Sequence, residues 1–229
     1  MYVIEALMAN VVDVHLKLVT TPQQIAIKIN DAIRNYIQSV FFKINTLSLK
    51  LKIGKIIRDA VLDSPEVKSL KGGQLQGELG PVTGRVNNAI DLVIDSLVNT
   101  IVITFMPLRG NITQRLKGGL RLQILPKTLI ATLSKSKEGA FLTKKGVNIP
   151  WLSWLLNLGD KIIVRQFDVD FNHTRGSRTG LAVMKSSKRG WRVPPQFSGT
   201  PDDNFITRAL DIRATEIVDL FVNEFKKQI

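Results

Sequence analysis

The sequence predicts an α+β fold: an antiparallel sheet with packed helices, a long helical N-terminal region before it, and a C-terminal helix that ends the chain. Three observations predict this class. Apolar residues recur at helical spacing over residues 22–62, alternate in short segments between residues 101 and 184, and return to helical spacing after residue 200. Helices that precede and follow antiparallel strands, instead of alternating with them, are typical of α+β proteins.

The N-terminal helical region opens with a strong start signal. Thr21 suits the N-cap, Pro22 suits the first helical position, and Gln24 can complete a capping box. The apolar pattern then predicts one long helix or two consecutive helices, with Gly54 as the expected break. Residues 3–19 alternate only in part, which leaves a strand and an N-terminal helix both open.

The rest of the chain predicts short elements separated by Gly, Pro and basic loops. We expect four or more antiparallel strands in one sheet, and we divide the chain into a helical N-terminal region, 1–80, and an α+β core, 81–229. The predicted elements are a helix from Ser64, its resumption over Gln74–Leu79, a helix over Thr83–Val98, strands over Ile101–Leu108 and Leu120–Leu125, short helices over Pro126–Ser134 and Ile149–Leu156, strands over Lys161–Phe171 and Leu181–Met184, and a last helix from Thr200.

The composition argues against an enzyme and against a cofactor. The chain has no cysteine, and His15 and His173 lie far apart, so neither a thiol nucleophile nor a Cys/His metal site is expected. Asp168 and Asp170 lie two apart on a predicted strand and could share a divalent cation, which keeps a metal-dependent nuclease as an open alternative. No apolar run is long enough to span a bilayer, so no membrane association is expected.

The positive charge is concentrated in the middle of the chain. The net charge is +13, and residues 109–192 hold 17 Lys or Arg against 4 Asp or Glu. Such a concentrated field attracts a polyanion, and the absence of a known base-reading motif predicts contacts with phosphates that are indifferent to sequence. The candidate DNA-facing cations, all in predicted loops, are Arg109, Arg115, Lys117, Lys135, Lys137, Lys144, Lys145, Arg175, Arg178, Lys188, Arg189 and Arg192.

Large apolar side chains in the C-terminal half predict packing or assembly contacts. Tryptophans can also stack on bases, but indoles flanked by leucines are more often part of a core or a subunit contact. The candidates for packing or assembly are Trp151, Trp154, Trp191, Phe205, Ile206, Leu210 and Phe221.

The order of motifs between Gly146 and Ala209 resembles the neck and tail-completion (head–tail joining) proteins of tailed bacteriophages. The matching segments are Ile149-Pro150-Trp151-Leu152-Ser153-Trp154-Leu155-Leu156, Gly159-Asp160, Ser177-Arg178-Thr179-Gly180, Trp191-Arg192-Val193-Pro194-Pro195, and Gly199-Thr200 through to Ala209-Leu210, with Leu75-Gln76-Gly77-Glu78-Leu79-Gly80 before them.

The resemblance implies a structural virion protein without a cofactor. It implies a homo-oligomeric ring, a hexamer or dodecamer, between the portal or connector and the tail tube or tail terminator, with DNA in its lumen. We therefore expect the protein to lie in the neck of the virion, at the head–tail interface, and to be in the host cytoplasm during assembly. The alternative is a sequence-independent nucleic-acid-binding module that acts as a monomer or dimer.

Overall fold

The computed structural model describes residues 2–9, 11–18, 20–110, 117–124, 127–143 and 146–229. It confirms an α+β fold with a C-terminal helix. The helices are α1 (Pro22–Lys43), α2 (Thr46–Asp63), α3 (Pro65–Gly72), α4 (Gln74–Leu79), α5 (Thr83–Asn99), α6 (Lys127–Leu133), α7 (Trp151–Asn157), α8 (Phe205–Ile212) and α9 (Ala214–Lys226). The strands are β1 (Tyr2–Ala9), β2 (Val11–Leu18), β3 (Val102–Arg109), β4 (Lys117–Gln123), β5 (Phe141–Leu142), β6 (Asn148–Ile149), β7 (Val164–Asp170) and β8 (Val183–Trp191).

The N-terminal segment that the sequence left open is a β-hairpin. β1 pairs with β2 in antiparallel register, from Tyr2 opposite Leu18 to Ala9 opposite Val11. The alternation of apolar residues, and not the helical interpretation, was therefore the correct signal in this segment.

The long N-terminal helix divides at Asn45 and not at Gly54. The Thr21 capping box forms as predicted at the start of α1. The side chain of Asn45 accepts a hydrogen bond from Ser48 N and caps α2, which supplies the break. Gly54 lies buried inside α2, where an added Cβ would sit 3.3 Å from both methyl groups of Val98. This glycine lets α2 and α5 approach closely and does not interrupt the helix.

The strands form four separate two-stranded antiparallel ribbons among the described residues, so the predicted single sheet of four or more strands is wrong. Helices flank the ribbons instead: α1 packs against β3 and β4, and α4 packs against β8. A two-stranded ribbon is marginally stable alone in water, so each one depends on this packing or on a neighbouring chain.

The C-terminal helix begins later than predicted and is divided in two. Thr200 lies in a turn, and the N-cap of α8 is Asn204, which is fully buried and forms a capping box with Thr207. The chain bends at Arg213, after which α9 continues to Lys226. Asn204 also donates to the carbonyl of Thr200 at 2.9 Å, so its amide fixes the turn and the helix start together.

A single cluster of buried side chains takes members from both sides of residue 80. Leu49 and Ile57 of α2 share this core with Ile94 of α5, Trp151 of α7 and Phe205 of α8. The division into 1–80 and 81–229 stays a prediction. In the described part of the chain, no helix has both the length and the apolar character that crossing a membrane requires.

Candidate nucleic-acid interface

Three exposed cations lie together at the end of the β7–β8 ribbon. Lys188 and Arg189 belong to β8, and Arg192 follows it directly, so this stretch is a strand and not the loop that the sequence predicted. Arg165 of β7 pairs in register with Gly190 and adds a fourth exposed cation. We call Arg165, Lys188, Arg189 and Arg192 the ribbon cluster. None of them forms an ion pair within the part of the chain that the structure describes.

Two of these cations, Lys188 and Arg189, lie in a bulge of the ribbon. Between two regular pairs, Gln166 alone faces Ser187, Lys188 and Arg189. Gln166 adopts a left-handed φ of 61°, a conformation that costs a non-glycine residue about 1–2 kcal/mol. The Ser187 hydroxyl accepts a hydrogen bond from Arg189 N at 3.1 Å, within the bulge itself. Bulges bend a strand and re-aim its side chains, and strain of this kind is common at functional sites.

The ribbon cluster is attached to the core through Trp191. The indole is buried, lies 5.8 Å from the Trp154 ring, and donates from Nε1 to Glu78 Oε2 at 3.1 Å. Burial raises the pKa of the Glu78 carboxyl above its usual range, although hydrogen bonds from Gln74 and Trp191 act in the opposite direction. The sequence offered no signal for Glu78, because its partner lies 113 residues away. The cations are thus carried by a strand end that is held on α4 and α7.

The other predicted cations lie on separate elements. Arg109 and Lys117 are exposed and face each other across β3 and β4. Lys135 and Lys137 are exposed in the turns after α6, and Arg175 is exposed in the loop between β7 and β8. Arg115, Lys144 and Lys145 lie outside the described residues.

Arg178 has a packing role that the sequence did not indicate. Its Nε donates to the carbonyl of Gly80 at 2.7 Å, and its guanidinium lies 3.8 Å from the centre of the Phe141 ring. Gly80 has a φ of 70°, and a Cβ there would sit 2.5 Å from Arg178 Nη2. Arg178 therefore holds the loop between β7 and β8 against the end of α4. Because its guanidinium is engaged in these contacts, Arg178 is less free than Arg175 to contact a polyanion.

Both aspartates of β7 have protein partners, and Asp168 accepts a hydrogen bond from Val169 N at 2.9 Å. Asp170 contacts Lys185 Nζ at 2.5 Å, His173 Nδ1 at 2.8 Å and Asn172 N at 2.8 Å. The hydrogen bond from Lys185 is the main reason why the pKa of Asp170 falls from 3.8 to about 2. Among the described residues, no group of three or more His, Cys, Asp or Glu could hold a metal ion. The described residues therefore supply no third ligand for the metal site that a nuclease would need.

The predicted packing residues lie in or against the core. Trp151, Trp191, Phe205 and Ile206 are buried. Trp154, Leu210 and Phe221 are partly buried and pack against the same cluster. Because Trp151 is fully buried, it has no face on which a base could stack.

Comparison with models of known protein families, with curated proteins and with solved structures found no match.

Proposed function

We propose that this protein is a non-enzymatic structural subunit of a phage neck, where it forms a homo-oligomeric ring that joins the head connector to the tail and surrounds the DNA passage. The observation that carries the oligomeric part is a stripe of apolar side chains on α1. Ile29, Ile33, Tyr36 and Val40 recur every three or four residues and share one face of the helix. We call these four residues the α1 stripe.

The α1 stripe is buried at one end and open at the other. Val40 is 0% exposed, whereas Ile29 is 52%, Ile33 38% and Tyr36 51% exposed. Contiguous apolar surface of this kind, continued beyond the core, is typical of an interaction site and not of a monomer surface. A partner that covers the open turns would extend the packing that Val40 begins.

The neck assignment rests on the sequence resemblance, and two of the matching segments contact each other in the fold. The carbonyl of Gly199 accepts from Gly159 N at 2.8 Å, which joins two of the motifs. A Cβ at Gly199 would lie 2.4 Å from the carbonyl of Leu155 and 2.8 Å from Asn204 Cβ. The Gly-Thr turn and the helix that begins with Asn204 and Phe205 therefore pack as one unit on α7. This shared packing supports reading the motifs as a set.

The purified protein is expected to assemble into closed rings. Mass photometry should give a species at a fixed integral multiple of the 25.6 kDa chain, and electron-microscope images of that species should show a central channel. A protein that remains a monomer or dimer at all accessible concentrations would contradict the ring.

The second candidate function, a sequence-independent nucleic-acid-binding module, is favoured by the ribbon cluster. Both functions predict contacts with phosphates. The assembly state separates them, because tight DNA binding by a monomer or dimer would favour the module.

Replacing Lys188, Arg189 and Arg192 together by glutamine should weaken binding to duplex DNA and flatten its salt dependence. The slope of log affinity against log salt should fall by about 2–3, since each phosphate contact contributes about 0.9. Fluorescence anisotropy at several salt concentrations measures this slope. The matched control replaces three exposed lysines of α2 and α3 by glutamine, namely Lys55, Lys68 and Lys71. It should leave the slope nearly unchanged. An equal loss of DNA affinity in both variants would show that only the net charge of the protein matters. It would contradict the prediction that the ribbon cluster contacts the phosphates.

A further inference from the structure

An open groove on the helical side of the molecule is lined in part by apolar side chains. It runs between α2 and α9 and has a volume of about 570 Å³. Its apolar side chains are Ile56, Ile212 and Leu220, and Ile212 is 77% exposed. An adjoining pocket of about 340 Å³ shares Ile212 and extends the groove towards Phe205. Large apolar side chains in an open groove suit the apolar face of a helix.

Among the described residues, the rim of the groove carries an unpaired carboxylate in a chain that is strongly basic. Glu216 and Asp219 of α9 line it, and Asp63 lines the adjoining pocket. Arg213 contacts Asp63 at 3.5 Å and Glu216 at 3.0 Å, and Lys68 also contacts Asp63 at 3.2 Å, so these two acids and two cations balance one another. Asp219 has no ion pair within the described ranges of the chain. The groove therefore favours an occupant that carries both apolar and cationic side chains.

The open part of α1 has this composition. At about 100° per residue, Lys28 lies about 110° to one side of the centre of the α1 stripe, and Arg34 lies about 130° to the other side. Lys28 is exposed and has no carboxylate partner in the described part of the chain, whereas Arg34 is paired with Asp31 on the same helix. Apolar residues flanked by a free cation match an apolar groove with a free carboxylate at its rim.

The ring contacts of α1 within its own chain come from its last turns. Phe41 lies 4.8 Å from Phe225 of α9 and 6.3 Å from Phe105 of β3, and Phe42 lies 4.5 Å from Phe105. Ile29 and Ile33 lie at least eight residues before Phe41 and are 52% and 38% exposed among the described residues, so another chain can reach them.

We propose that the open turns of α1 dock in the α2/α9 groove of a second copy of this chain. The two surfaces lie on different parts of one subunit, so the contact is heterologous and propagates head to tail, which closes a ring when the rotation permits. The inference rests on the proposed ring and identifies the surfaces that build it. A partner of another kind and a bundle of α1 helices are the competing occupants.

Thiol cross-linking tests the contact directly, because the chain contains no cysteine. Ile29→Cys in one protein and Asn223→Cys in another would be mixed under assembling conditions and treated with a short bis-maleimide. Asn223 is an exposed residue of the groove, so its replacement should not disturb the core. The expected product is a covalent heterodimer. Leu142→Cys, at an exposed apolar residue of β5, is the matched control and should give little product with Ile29→Cys.

Charge exchange gives a second test that does not depend on cross-linking geometry. Lys28→Glu and Asp219→Lys should each weaken assembly about 2–5-fold, the range of an exposed ion pair, and the double variant should recover most of the loss. Ile33→Asp should weaken assembly about 10–100-fold, because it places a charge in the centre of the apolar contact. Far-UV circular dichroism should remain unchanged, since all three side chains are exposed in the free subunit.

Each outcome decides a different point. Rings that form without the Ile29–Asn223 product, and that tolerate Ile33→Asp, would overturn this inference and leave the proposed function standing. Cross-linking of Ile29→Cys mainly to itself would show that α1 packs on α1 and would also overturn it. A wild-type protein that never assembles would overturn the ring and the docking together.

Discussion

Phe205→Ala is expected to lower the free energy of unfolding by about 3–5 kcal/mol, the usual cost of removing a buried phenylalanine ring. Phe205 begins α8, is 1% exposed, and belongs to the cluster that joins α8 to the earlier helices. Truncation leaves a cavity that the surrounding side chains cannot fill without moving. Equilibrium urea denaturation at a fixed protein concentration measures the loss.

Phe221→Ala is the matched control for this prediction. Phe205 and Phe221 were both predicted as packing residues of the last helix, but Phe221 lies on α9 and is only partly buried. Its truncation should cost about 1–2 kcal/mol, in proportion to the smaller area that it removes from water. Equal losses in the two variants would show that α9 is packed as tightly as α8, contrary to the structure.

Arg208→Met is expected to cost about 3 kcal/mol, because it leaves a buried carboxylate without its cation. Arg208 Nη2 contacts Glu66 Oε1 at 2.7 Å, and Nη1 contacts Asp203 Oδ1 at 2.9 Å. Glu66 is buried near the start of α3, so these bonds join α3 to α8. Methionine keeps the apolar stem of Arg208, which limits the change to the lost charge and hydrogen bonds.

A double-mutant cycle isolates the ion pair. Combining Glu66→Gln with Arg208→Met should recover part of the loss, with a coupling of about 1–3 kcal/mol. Arg58→Met is the control, since Arg58 and its two partners, Asp91 at 3.4 Å and Asp95 at 3.6 Å, are all exposed, and it should change stability by at most about 1 kcal/mol. Additive effects of the Glu66 and Arg208 substitutions would show that the two side chains do not stabilise each other.

Several elements whose signals lie within a few residues were predicted correctly, although Thr200 and Gly54 show that a local signal can also mislead. The Thr21 capping box starts α1, and Ser64 caps α3 just before Pro65. Strands β3, β4 and β7 lie close to their predicted positions, whereas β8 continues to Trp191, well beyond its predicted end at Met184. Hydrogen bonds that span three or four residues are local, so the residues that make them can be read directly from the sequence.

Parts of the candidate interface could not be predicted, because distant contacts place them. The concentration of charge in residues 109–192 is a property of the sequence, but the placement of Lys188 and Arg189 on a bulged strand is not. The sequence placed Arg178 among the DNA-facing cations. Its actual contact is with Gly80, 98 residues away, and a contact at that distance has no sequence signal. The structure also added Arg165 to the cluster, through its pairing with Gly190.

The sequence by itself determined the class of the fold, most helices and hairpins, and the sign and location of the charge. Only the tertiary structure decided that the ribbons remain separate, that Gly54 packs against Val98 inside a helix, and that Arg208 pairs with Glu66 across 142 residues. The physical reason is one of range. Caps, turns and periodicity act between neighbours along the chain, whereas burial and ion pairing depend on which distant surfaces meet in the folded molecule.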